Sequence, residues 1–432
     1  MYNLIVKETK EEVIEHFYGL KVDGVGFELE TPKVVWYKYQ YDYSRQYLTF
    51  IAQEDGAFGF NGTDYYDDGE TWTLLEVDGE IEVSSGDTVM WKGLGSVEQE
   101  EDPYDAWGIG TFWSDGNFIV EGSIMSLMYG DDFKGQTSLN NKYSMFADLF
   151  GECTGLTSAE NLSLPATTLA NYCYAGLFWD CSGLAVAPVL PATTLVEVCY
   201  DYMFQGCTSL TTAPELPATT LAVQCYNSMF SGCTSLTTAP ELPATTLADE
   251  CYYYMFQGCT SLTTAPELPA TTLANSCYYA MFAGCTSLTN APELPATTLA
   301  EGCYYDMFAG CTGLTTAPEL PATTLAVDCY LWMFSGCTSL TNAPELPATT
   351  LAVQCYYGMF ANCTSLNYVK CLASSGMTAS LCLIDWLSGV ASTGTFVKSP
   401  NATTGSTAGT SQWKINSADG IPTNWTVQDA TF

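Results

Sequence analysis

The sequence predicts a mixed α/β solenoid of 26-residue coils, each with a short parallel strand and a short helix, preceded by a β-sandwich. Three observations carry this expectation. A nearly invariant phrase, CTSLTTAPELPATTLADECYYYMFQG in the copy starting at Cys233, returns every 26 residues through the middle of the chain. Its second half places Leu247, Ala248, Cys251, Tyr252, Met255 and Phe256 on one half-circle when residues are set at ~100° steps. Upstream of the copies, apolar runs of strand length alternate with Gly/Asp turns.

Residues 1–45 read as an attachment or docking segment. TKEEVIEHFYGL pairs Thr9 with Glu12 as a capping box at the head of a short amphipathic helix. VVWYKYQYDYSRQY follows, aromatic and holding the only arginine, Arg45, and reads either as an edge strand or as a docking segment. Residues 46–125 carry the runs YLTFIA, WTLLEV, IEVSS, TVMWKG, GIGTFW and FIVEG, the pattern of a β-sandwich.

The solenoid is expected over 126–390, with worn copies at both ends, and a small β cap over 391–432. In one coil, SLTTA is a short extended run that stops at Pro240, which has no N–H for a ladder. Thr246 is then an N-cap candidate and Leu247–Gln257 the helix. The column Asp180, Gly206, Gly232, Gly258, Gly284, Gly310, Gly336, Asn362 contains residues that tolerate left-handed backbone, as a helix C-cap requires. A 26-residue period with leucines at fixed places lies in the ~20–29 residue range of leucine-rich repeats.

Charge excludes several function classes. The chain carries 48 acidic and 12 basic residues, a formal net charge of −36. Such a surface is repelled by nucleic acid and by anionic membranes. Between Lys142 and Lys370 there are 17 Asp and Glu and no basic residue, so no phosphate clamp can form there. No apolar run has the length of a membrane-spanning helix, and the opening MYNLIVKETK does not read as a signal peptide.

Most of the nineteen cysteines fall in two columns with 26-residue spacing, Cys181 to Cys363 and Cys173 to Cys355. That is the rhythm of a repeat interior, where cysteine acts as a small hydrophobe, so free buried thiols are expected. Zinc is not expected, for no C-x-x-C pair exists and the single histidine is His16.

No catalytic residue is assigned. One histidine leaves the array without a Ser/His or Cys/His pair. Carboxylates for glycoside hydrolysis exist on paper in SVEQEEDPYD from Ser96, which reads more simply as a solvated loop. Asp67 and Asp68 in YYDDGETW suit either a calcium site or a tight acidic turn.

The candidate binding residues are the letters that change between copies on the outer half-circle. They are Asp249, Glu250, Tyr253, Tyr254, Tyr279, Tyr305, Asp306, Leu331, Trp332 and Tyr357. Tyrosine-rich variation on a fixed frame suits recognition, because rings supply contact area at low entropic cost. A second candidate is the row Glu215, Glu241, Glu267, Glu293, Glu319 and Glu345, one per coil. Either these splay into solvent, or divalent cations such as calcium bridge them, since no Lys or Arg in the array is expected to neutralise them.

The repeated MFxGCTSLTTAPELPATTLA through residues 131–390, the YLTF…MWKG…GIGTF region and the closing GIPTNWTVQDA resemble the BspA-like leucine-rich-repeat proteins of Bacteroides-type bacteria and their phages. The resemblance implies a surface-displayed, non-enzymatic adhesion protein. Its implied partners are other virion or surface proteins through the N-terminal region, and a host-surface protein or neutral glycan through the repeats. A homo-oligomer is compatible with it; nucleic acid and membrane insertion are not expected. Without a signal peptide the first expectation is a phage appendage on the virion surface. A bacterial cell-surface adhesin is the alternative, and a carbohydrate-active enzyme a distant third.

Overall fold

The structure, a computed structural model, describes residues 20–23, 26–29, 45–62, 64–69, 71–75, 77–93, 108–415 and 419–431. The Thr9–Glu12 capping box, His16 and the acidic run from Ser96 lie outside the described residues. The chain divides into two compact units, Met1–Tyr43 and Ser44–Phe432. In the first, β1 (Leu20–Asp23) and β2 (Gly26–Leu29) form an antiparallel hairpin with Leu20 opposite Leu29.

The second unit opens with eight strands: β3 (Leu48–Ala52), β4 (Gly56–Phe60), β5 (Asp64–Asp67), β6 (Thr73–Leu75), β7 (Gly79–Val83), β8 (Thr88–Lys92), β9 (Phe112–Ser114) and β10 (Phe118–Ser123). A ninth, β11 (Leu156–Ser163), belongs to the repeats yet pairs in parallel with β10. One sheet runs β11-β10-β3-β8-β5-β6 and a second, antiparallel, runs β7-β4-β9. Rings from both sheets meet between them: Phe50 lies 5.3 Å from Phe58 and 4.8 Å from Phe112, centroid to centroid. The first sheet therefore crosses residue 125, where the sequence pattern suggests a boundary, and carries the β region into the first coils.

The predicted helix in every coil does not form. Among the described residues the only α-helix is α1 (Ser126–Tyr129), followed by one 3-10 turn, Gly130–Asp132. Over Leu247–Gln257 the backbone instead makes a run of tight turns whose amides alternate between two kinds of partner. Tyr253 N–H donates to Glu250 O at 3.2 Å and Gln257 N–H to Tyr254 O at 3.0 Å, each three residues back. Between them, Tyr252, Tyr254, Phe256 and Gly258 donate to Cys277, Tyr279, Met281 and Ala283 of the next coil at 2.7–3.1 Å. Every fourth residue is left-handed: φ is 56° at Glu250, 54° at Tyr254 and 71° at Gly258. The Gly258 column is thus left-handed as expected, but as the third such residue in a coil rather than as a helix cap.

The reason for the misreading is the period. Inward residues come in pairs every four, Cys251–Tyr252 then Met255–Phe256 then Cys259, which is ~90° per residue against ~100° for an α-helix. A difference of about 10° per residue cannot be resolved within one coil.

The predicted strand shrinks as well. SLTTA contributes single parallel bridges, Thr212 to Thr238 to Thr264, and a second line runs Thr194, Thr220, Thr246, Thr272, Thr298, Thr324. Thr246 is therefore a rung of a parallel ladder, not an N-cap. Prolines 240 and 243 bracket the gap between the two lines, where their missing N–H groups prevent longer pairing.

Inside, identical side chains stack coil upon coil. Phenylalanines from Phe150 to Phe360 have ring centroids 5.3–5.7 Å apart. Buried tyrosines from Tyr174 to Tyr356 form a parallel column at 5.8–6.1 Å. All nineteen cysteines are free and buried. One column has a definite role: Cys233 Sγ donates to Phe204 O and Cys259 Sγ to Phe230 O, both at 3.1 Å, each adding a second donor to a carbonyl of the preceding coil that also accepts a backbone N–H.

At the C-terminal end β12 (Tyr368–Cys371), β13 (Thr395–Lys398) and β16 (Thr426–Asp429) form a parallel sheet. A parallel pair, β14 (Thr403–Gly405) and β15 (Gln412–Lys414), lies between β13 and β16 in sequence. Trp386 stacks on Tyr356 at 6.2 Å and on Trp413 at 5.5 Å, and its indole N–H donates to Gly420 O at 2.9 Å, so wide rings cover the last coil.

Candidate variable-face binding site

The residues that vary between copies occupy two pairs of neighbouring columns on the turn run, those of Asp249 and Glu250 and those of Tyr253 and Tyr254, and register brings some of them together. Tyr253, Tyr279 and Tyr305 hold the same position in three successive coils. Their rings stack at 4.4 and 4.3 Å with interplanar angles of 19° and 18°. Tyr254 stands across the start of this ladder, 85° to Tyr253 and 77° to Tyr279. All four are half-buried. Because the ladder rings cover each other's faces, a partner meets mainly their edges and hydroxyls. Burial pushes the Tyr253 hydroxyl up to about 12, helped by its hydrogen bond with Tyr254, and pushes Tyr279 and Tyr305 up too.

Carboxylates border the ladder. Asp249 is exposed and accepts the Asn275 N–H at 2.9 Å; Glu250 accepts from the Gln224 amide at 2.6 Å. Asp306, left-handed at φ 53°, is half-buried, and that burial raises its carboxyl to about 6.

The other predicted residues form a separate group. Trp332 lies 5.4 Å from Tyr357, and its ring covers Gly358, where a Cβ would sit 2.5 Å from the indole. Leu331 departs from expectation: it shares the ladder's column but is only 4% exposed. It is covered without joining the core cluster, and the ladder stops at Tyr305.

The six glutamates of the predicted row are all exposed. One is neutralised, against expectation, because Lys370 just past the last copy pairs with Glu345 at 2.8 Å. Among the described residues no group of three or more His, Cys, Asp or Glu could hold a metal ion, the glutamate row included. At Asp67 the carboxylate accepts the Gly69 N–H at 2.8 Å, closing a tight turn. No helix among the described residues is long and apolar enough to cross a membrane.

Sequence reasoning missed a third group near the start of the array: Asp148, Gly176, Asp201 and Tyr202. A signal was present, since Gly176 is a glycine in a variable column flanked one coil away by a carboxylate and a ring.

The repeats have counterparts. Residues 140–263 and 197–317 match the family described as BspA type leucine rich repeat region, in six copies. Over these residues the chain is similar to that family. No curated protein and no solved structure matches the chain.

Proposed function

We propose that this is a non-enzymatic, adhesin-type protein that binds a surface protein or neutral glycan through the outer face of its turn run. The observation that carries the reading is the Tyr253–Tyr279–Tyr305 ladder with Tyr254 across it, a half-exposed aromatic cluster set on an otherwise repeated frame. Inner columns repeat because packing demands it; the outer columns differ from coil to coil, so together they form a composite surface. Tyrosine edges and hydroxyls bordered by carboxylates offer hydrogen bonds to hydroxyl- or amide-rich ligands. The likeness of residues 140–317 to BspA-type repeats favours a bacterial cell-surface adhesin over a virion appendage, which has no structural observation of its own.

The test is a triple variant, Tyr253→Ala, Tyr279→Ala and Tyr305→Ala, compared with wild type for adherence to matrix-coated and glycan-coated surfaces. The variant is expected to keep its circular dichroism spectrum and to lose at least about tenfold in affinity, the scale of a truncated aromatic hot spot. Unchanged adherence would move the contact face elsewhere.

A further inference from the structure

Coils beginning near Ser144, Tyr172 and Val198 hold a notch that the tyrosine ladder does not share. Its floor is Ala175 and Gly176, both buried. Gly176 is left-handed at φ 60°, and the place its Cβ would take lies 2.0 Å from Asp148 Oδ1 and 2.9 Å from the Tyr202 ring. The coil before and the coil after thus lean a carboxylate and an aromatic ring over the same glycine. Asp148 is exposed, at the rim. Asp201 lies deeper, only 7% exposed. Asn227 lies beside its carboxyl group and Asp148 within electrostatic range, while the Tyr202 backbone N–H donates to Asn227 O at 2.7 Å. Its Oδ1 has no hydrogen-bond partner.

A buried acceptor without a donor costs about 1–3 kcal/mol and more when charged, so a native fold that retains one invites an outside donor. Asp148 and Asp201 belong to no group of three or more metal ligands among the described residues. They do suit an ammonium, which brings three donors and a charge that a ring face attracts. The coils that form the notch supply none: no Lys or Arg occurs between Lys142 and Lys370.

We propose that the notch over Gly176, walled by Asp148, Asp201 and Tyr202, binds a primary ammonium group, carried by a lysine of a partner protein or by a free amine. The ammonium donates to Asp201 Oδ1 at the base and to Asp148 at the rim, with Tyr202 beside it. Burial raises the Asp201 carboxyl to about 8, so below that pH it keeps a proton that the ligand expels. Asp148, Tyr172 and Tyr202 are the titratable groups around it. Affinity should therefore climb from about pH 6 to about pH 9, while a lysine ammonium remains charged below its pKa of about 10.4.

Isothermal titration calorimetry with acetyl-Gly-Lys-Gly-amide, its norleucine counterpart and methylammonium chloride tests this on the full chain. The lysine peptide should bind at least about tenfold more tightly than the norleucine peptide, with affinity rising with pH, a difference of ~1.4 kcal/mol. Asp201→Asn should abolish the preference, and so should Asp148→Asn, at an exposed position, with the fold of each variant checked by circular dichroism. Methylammonium equal to the peptide assigns a free amine; peptide binding alone assigns a partner lysine. No lysine preference in wild type, or a preference that survives in folded Asp148→Asn, overturns the proposal.

Discussion

Cys153 donates its thiol to the carbonyl of Phe112 at 2.8 Å, the contact that Cys181 makes with Phe150 at 2.9 Å and that each later cysteine of the column repeats. Phe112 belongs to β9, outside the repeats, yet its ring also stacks on Phe150 at 5.7 Å and 19°. The β region thus presents one residue shaped like a preceding coil, and the first true coil is finished by it.

Truncating that residue should loosen the array from its N-terminal end. Phe112→Ala removes a fully buried ring from between the sheets and the first coil, at a cost of about 3–5 kcal/mol. Urea unfolding should show the loss. Hydrogen exchange should speed up over residues 144–156 before it does over the middle coils.

The cysteines should be silent in the native state. Burial pushes Cys153 and Cys259 up to about 12 and Cys382 to about 11, so little thiolate exists near neutral pH. A thiol-reactive dye should label almost none of the native protein, and all nineteen thiols once it is denatured without reductant. Rapid labelling of native protein would mean that the columns open. Cys233→Ala should cost about 1 kcal/mol or more, because it empties a fully buried position and removes one of the two donors to the Phe204 carbonyl, which keeps the Cys207 N–H at 3.1 Å.

Stability should fall as the solution becomes alkaline. Asp64, 5% exposed with Oδ2 unpartnered, has its carboxyl raised by burial from the usual 3.8 to about 8. The folded state then binds a proton that the unfolded chain has released, so ΔG of unfolding decreases with pH between those two values. The contribution is complete below the unfolded value and is lost as pH rises through about 8. Melting temperatures measured across this window should decline for wild type. Asp64→Asn, which has no charge to bury, should flatten the curve and melt higher than wild type at alkaline pH.

Gly358 should not tolerate a side chain. Its φ of 59° is left-handed and the Trp332 ring occupies the space a Cβ needs. Gly358→Ala should cost at least about 1–2 kcal/mol from backbone alone, and it should shift Trp332 fluorescence as the indole is displaced. A stability loss without a spectral change would show that Trp332 does not lie over the glycine.

Several features were legible because each repeats at one position in every coil. The buried thiols, the phenylalanine column and the left-handed glycine column all follow from a 26-residue period that returns the same residue to the same environment. Leu331 was nearly legible: an aliphatic residue in a column of tyrosines is a sign that its side chain is covered. The alternation of amide partners was not. Glu250 and Tyr254 are left-handed without the glycine that normally announces it, and an inward pair every four residues reads as a helix at this length.

The sequence by itself determined the period, the inner columns and the surface charge, because these depend only on which residue recurs where. Only the tertiary structure decided where each backbone N–H goes, to a carbonyl three residues back or to the next coil, since that choice depends on a neighbour 25 residues away. The same stacking decided which variable letters meet. Tyr253, Tyr279 and Tyr305 became one ladder, and Asp148 and Asp201 one notch, because coil-to-coil register sets side chains from distant positions side by side.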